Sequence, residues 1–131
     1  MTKTSTVKQS LNVTMEILEM DWKQFIKEAE SELAIYAKEL PGTMQGFAKM
    51  GAAAKQEGVL SQKTRELVSL AIAIRSQCDH CIAYHARTLV KLEAEREEVA
   101  EVLAICAYMA GGPGINYGAK ALQAFDQFSE G

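Results

Sequence analysis

Two cysteines and two histidines fall within eight consecutive residues of a 131-residue chain, as Cys78-Asp79-His80-Cys81 and then, after three intervening residues, His85. On an α-helix each residue advances about 100°, so Cys78, Cys81 and His85 lie within roughly 60° of one face. They can meet one another there. His80 falls on the opposite side, where a neighbouring helix or subunit is its expected contact. The two sulfurs, adjacent in space, can cycle between dithiol and disulfide, and an imidazole beside them can move protons. If the helix begins at Cys78, its first turn presents unpaired N–H groups and a partial positive charge that stabilise a thiolate. Lowering a thiol from pKa ~8.5 to about 7 takes ~2 kcal/mol and leaves roughly half of it nucleophilic at neutral pH.

Glu66 stands twelve residues before Cys78, just ahead of the apolar run Leu67–Ile74, where a charged carboxylate is costly without a partner. It can face the cysteine helix or merely favour the start of its own helix electrostatically; position alone leaves both open.

The rest of the chain has to position this window, and its composition favours helices. Ala, Leu, Glu and Lys are common, Pro occurs twice, and no alternating strand pattern is found. Residues 1–19 read as a variable leader, with some order from Met15 to Met20. Asp21 reads as the N-cap of a first helix through Trp22, Phe25, Ile26, Ala29 and Leu33, which Pro41-Gly42 stops. A second helix covers about Thr43 to Gln56 and ends at Gly58, a residue suited to the left-handed conformation. A third follows the N-cap Ser61 through Glu66 to Arg75, and its Leu67–Ile74 stretch, apolar on every side but Ser69, marks it as buried throughout. The fourth starts near Cys78-Asp79 and runs to about Leu92. The fifth, opened by the solvated run Glu95–Glu98, continues through Cys106 to Ala110. Gly111–Gly114 breaks the pattern, and a last helix spans about Tyr117 to Phe128.

At this length a single domain is expected, with one hydrophobic core. A net charge of −3 with interleaved signs provides no basic stripe for a phosphate backbone, so nucleic acid is not an expected partner. No segment approaches the ~20 apolar residues of a membrane span, and the N-terminus lacks a signal-peptide pattern. A cytoplasmic protein is expected, and in a reducing compartment a CxxC is a catalytic or metal-binding pair rather than a permanent staple.

Glu66, eleven residues, Cys78-x-x-Cys81, three residues, His85, together with Arg65–Ala73 and Cys81-Ile82-Ala83-Tyr84-His85, resembles the signature of the AhpD-like alkylhydroperoxidase branch of the carboxymuconolactone decarboxylase superfamily. The resemblance spans about Pro41 to Gly112 and extends toward Phe128. It implies an all-α bundle of about six helices assembled as a trimer or hexamer. It also implies that Cys81 attacks a hydroperoxide, that Cys78 resolves the resulting sulfenate to a disulfide, and that Glu66 and His85 form a proton relay with His80 assisting. No cofactor is implied beyond the redox-active Cys78–Cys81 disulfide, and the implied partners are a hydroperoxide and an external dithiol donor or adaptor. Where relatives carry Gly-Ala after the cysteine helix, this chain has Glu93-Ala94, and non-glycine residues resist the left-handed cap, so an altered turn is expected.

Other readings stay in play. A general disulfide reductase or redox partner would use the same dithiol. A metal site could draw on Cys78, Cys81 and His85 with Glu66 or His80, although structural zinc more often gathers its ligands from separated segments. A non-redox enzyme of the lactone-decarboxylase type would not need the cysteine pair. Cys106, alone on an apolar face, reads as a small core residue. Packing is the default for Trp22 and Tyr84, although either could line a substrate path, and Met44, Met50 and Met109 read as filler or subunit contact.

Overall fold

Helix boundaries follow the capping chemistry of the chain closely. The computed structural model describes residues 19–131, so the expected leader lies outside the described residues except at its last position. Six helices follow in order among the described residues: α1 Trp22–Glu39, α2 Pro41–Lys55, α3 Gln62–Arg75, α4 Asp79–Lys91, α5 Arg96–Ala110 and α6 Gly112–Ser129. The Asp21 carboxylate accepts from the Gln24 N–H at 3.0 Å, and Ser61 Oγ accepts from the Thr64 N–H at 3.1 Å. Each satisfies one of the donors a helix start leaves unpaired. Glu95 and Glu98 form a reciprocal capping box at the head of α5. No described helix is long and apolar enough to cross a membrane.

Three boundaries differ from the sequence expectation. Pro41 does not only stop α1; it opens α2, two residues earlier than expected, because its missing N–H costs nothing in a first turn. At the other end of α2 the chain leaves the helix through an extended Gln56 (φ −62°, ψ 126°), so Gly58 is not a left-handed cap. A Cβ at Gly58 would sit 3.0 Å from the Arg65 guanidinium, which explains the small residue differently. Finally, only Gly111, at φ +65°, interrupts the run before α6. Pro113 is accommodated in the first turn, so the helix starts at Gly112 rather than near Tyr117.

The core is built from Trp22 and Ile26 of α1, Leu70 and Ile74 of α3, Ile82, Ala86 and Leu89 of α4, Val99 and Cys106 of α5, and Ala121, Ala124 and Phe125 of α6. α6 packs against both α4 and α5, and α4 also lies on α3. Trp22 is fully buried, with its indole N–H donating to Gln123 at 2.9 Å, so packing is indeed its role. The expectation that α3 is buried throughout does not hold within one chain. Leu70 is 0% exposed, but Val68 and Ile72 are 50% and 61% exposed. Ile105, Tyr108 and Met109 of α5 and Ile115 of α6 are open as well. α2 buries no residue at all.

Left-handed turns bracket α4 at both ends. At the end of α3, Gln77 takes a left-handed φ of +55°; its N–H reaches Ile74 O at 3.1 Å and the Cys78 N–H reaches Ala73 O at 3.2 Å. This Schellman pattern reverses the chain within three residues and delivers Cys78 directly as the N-cap of α4. After α4 the same motif recurs with Glu93 at φ +58°, closed by Glu93 N–H to Val90 O and Ala94 N–H to Leu89 O, both 3.0 Å. The turn expected to change for want of glycine is kept, with the left-handed conformation forced on a glutamate.

Candidate functional site

Cys78 occupies the N-cap position, and its Sγ accepts the Cys81 N–H at 3.2 Å. The two cysteines are disulfide-bonded, with their α-carbons 5.3 Å apart. The two sulfurs are therefore joined, and they sit at the positive end of the α4 dipole, where a sulfur anion released on reduction is stabilised.

One turn further along α4, His85 projects from the same side as Cys81. Its Nδ1 lies 2.7 Å from Glu66 Oε2. Glu66 is 3% exposed and belongs to α3, so the hydrogen bond ties the helix before the cysteines to the helix that carries them. Of the two roles open to Glu66 from its position, the carboxylate takes the one facing α4. With the carboxylate as acceptor and Nδ1–H as donor, Nε2 of His85 keeps a free lone pair, the form a proton acceptor needs.

His80 turns away from that face, as its register requires. It meets α1, with its ring edge-on to Phe25 at 5.0 Å and Nε2 3.5 Å from Glu32 Oε2. It nonetheless shares with Cys81 and His85 the lining of a solvent-open cavity of about 770 Å³ between α1, α2, α3 and α4. Cys78 is not among the residues lining this cavity. The walls are mainly apolar, from Leu33, Met44, Phe47, Leu60 and Val68. Tyr84 completes them, so that residue lines a chamber instead of serving packing alone. Burial pushes the Tyr84 phenol above its ordinary pKa; Glu30 adds to the shift and Arg87, stacked 5.3 Å over the ring, opposes it. Tyr84 is thus a neutral hydroxyl donor at physiological pH.

Among the described residues, no group of three or more His, Cys, Asp or Glu side chains is arranged to hold a metal ion. Nδ1 of His85 is committed to Glu66, and His80 to α1. Cys106 is buried and apart from the pair, and burial raises its thiol pKa, in keeping with a core role.

Sequence reasoning did not find the partners around the cysteine window. Asp79 is held by Lys120 of α6 at 3.3 Å, and Arg65 binds the carbonyls of Leu60 and Ala54 at 3.1 and 2.9 Å, bracing the α2–α3 loop. No local pattern encodes these contacts, because each depends on how two helices pack.

The profile of the Carboxymuconolactone decarboxylase family matches residues 41–124, from the start of α2 into α6. The chain is similar to an uncharacterized protein of Cupriavidus necator, 37% identical over 106 residues, covering 81% of this chain and 94% of that protein. It is similar also to an uncharacterized protein of Haemophilus influenzae, 36% identical over 105 residues, covering 80% and 93% of the two. The crystal structure of an apo carboxymuconolactone decarboxylase family protein from Legionella pneumophila superposes with a TM-score of 0.81 at 44% identity, covering 83% of this chain and 97% of the other. A Thermotoga maritima member, for which a part in an antioxidative response has been suggested, gives 0.71 at 28% identity, covering 80% and 90%. With its helical order, its cysteine pair and these likenesses in agreement, the chain belongs to the carboxymuconolactone decarboxylase family.

Proposed function

We propose that the protein is a thiol peroxidase that reduces organic hydroperoxides with the Cys78–Cys81 dithiol. The observation that carries this reading is the 2.7 Å hydrogen bond between His85 Nδ1 and buried Glu66, made beside a cavity that Cys81 lines and Cys78 does not. A structural cysteine pair has no use for an oriented imidazole at the floor of an apolar chamber.

In the cycle, His85 takes the Cys81 thiol proton; the thiolate attacks the distal oxygen of ROOH, the S–O bond forms, the O–O bond breaks, and the departing alkoxide takes that proton from His85 and leaves as ROH. Cys81 is now a sulfenic acid. Cys78 attacks its sulfur, the disulfide forms and water departs. A dithiol donor then reduces the disulfide by exchange and is itself oxidised to its disulfide. Glu66 holds the His85 tautomer throughout, and His80, braced on α1, shapes the chamber wall. The chemistry resides in sulfur, with no flavin, haem or metal assigned a step.

The same reading includes a homotrimer or homohexamer. The open apolar side chains Ile72 of α3, Ile105, Tyr108 and Met109 of α5 and Ile115 of α6 support it, since large exposed apolar side chains are ordinarily covered in an assembly.

The test is turnover. With dithiothreitol as donor, cumene hydroperoxide is consumed catalytically by the wild type and not by Cys81→Ser. Consumption no faster than with donor alone would contradict the reading, and reduction of a protein disulfide under the same conditions would replace it with disulfide exchange.

A further inference from the structure

The cavity beside Cys81 is far larger than a small peroxide requires and carries an unbalanced charge. Its volume of about 770 Å³ lies toward the upper end of the ~300–1,000 Å³ of small-molecule sites. Lys55 and Arg65 both line it, and no aspartate or glutamate does. Neither cation pairs with a carboxylate among the described residues. In a chain of net charge −3, a lining with two cations and no carboxylate runs against the overall sign. Arg65 is also fixed in place: Nε and Nη1 are bound to the carbonyls of Leu60 and Ala54. Backbone carbonyls orient the guanidinium without neutralising it, so its charge is preorganised for an anion.

We propose that this cavity takes an amphipathic acid, an apolar chain ending in a carboxylate, with the chain along Leu33, Met44, Phe47 and Tyr84 and the carboxylate at Lys55 and Arg65. On the peroxidase reading, on which this part rests, the substrate is then a long-chain fatty-acid hydroperoxide. An apolar chain satisfies the walls and a single anion answers the cations; a neutral alkyl hydroperoxide satisfies only the walls, and hydrogen peroxide neither.

Two measurements on the full-length protein separate this inference from the function beneath it. The first is calorimetric titration of the disulfide form with dodecanoate and with methyl dodecanoate, neither of which can oxidise a thiol. Dodecanoate is expected to bind at least about tenfold more tightly than its ester, with the preference falling to about twofold in Lys55→Gln and reversing in Lys55→Glu. Lys55 is solvent-exposed, so these variants fold. Equal binding of acid and ester, or a preference that survives both variants, overturns the inference.

The second is the rate of thiol loss from the reduced protein with a fatty-acid hydroperoxide and with its methyl ester. An acid-to-ester rate ratio near ten that collapses in Lys55→Gln supports the substrate class. Rapid oxidation at equal rates retains the peroxidase and overturns the carboxylate site. Selective dodecanoate binding without oxidation by either peroxide retains the carboxylate site and removes the peroxidase.

Discussion

Glu66 Oε2 and His85 Nδ1 stand 2.7 Å apart although nineteen residues separate them, the carboxylate almost wholly buried on α3 and the imidazole half-buried on α4. The pair links the two helices and holds one nitrogen of the ring. Glu66→Gln keeps the shape but can offer Nδ1 an amide in place of a carboxylate. We expect the rate of Cys81 oxidation to fall about 10²-fold or more, within the range of lost acid–base catalysis, with the helical fold retained by circular dichroism. Glu66→Ala is expected to add a stability loss of about 1–3 kcal/mol, because it removes a buried partner and leaves a void. Retained rates in both variants would assign the bond to structure alone.

The shared face of Cys81 and His85 was legible in the sequence because an offset of four is local, as was the nearness of Cys78, which stands at the extended N-cap and joins Cys81 through sulfur. The caps Asp21 and Ser61 and the core role of Cys106 were equally local. The role of Glu66 could not be decided from position, since it depends on α3 lying against α4. The chamber was hidden for the same reason, because α1 and α2 contribute walls from residues that look like ordinary helix faces. Val68 and Ile72 misled for another cause. Hydrophobicity on every side of α3 does not say which of its faces the fold covers, and Val68 and Ile72 lie on one that it leaves open.

Gln77 and Glu93 carry a conformation that costs an L-residue about 1–2 kcal/mol. Gln77→Gly and Glu93→Gly are each expected to raise stability by about 0.5–1 kcal/mol after the added freedom of the unfolded chain is counted, read as a higher urea midpoint at unchanged m. A lower midpoint for either would show that side-chain contacts outweigh the backbone strain.

Gly114 lies where α6 presses on α5, and a Cβ there would overlap the Cys106 carbonyl and crowd Ala110. Gly114→Ala is expected to cost about 1–3 kcal/mol through forced separation of the two helices, measured by denaturant unfolding. Gly42→Ala, where nothing lies within 4 Å, is the control and is expected to be neutral or slightly stabilising.

Cys106 is buried, and burial raises its thiol pKa. After reduction, iodoacetamide is expected to label two thiols at neutral pH in the native state and the third only in denaturant. The linkage has a defined sign. A thiol whose pKa is raised on folding contributes stability that is fully present below its unfolded value, ~8.5, and is lost as pH rises through the folded value. Unfolding midpoints should therefore fall on the alkaline side more in the wild type than in Cys106→Ala.

The open apolar side chains of α5 bear on assembly. Ile105→Glu combined with Met109→Glu places two charges on that surface, and the native mass is expected to fall from a multiple of 14.3 kDa toward that value. An unchanged mass would move the interface elsewhere.

The account stands or falls on whether Cys81 reacts with a peroxide and Cys78 completes the reaction. The direct measurement is a thiol count on reduced protein before and after one equivalent of cumene hydroperoxide, with Cys81→Ser and Cys78→Ser alongside. The account predicts rapid loss of two thiols in the wild type, no loss in Cys81→Ser, and a trapped sulfenic acid at Cys81 in Cys78→Ser. Loss that is slow in the wild type, or that persists in Cys81→Ser, would contradict it.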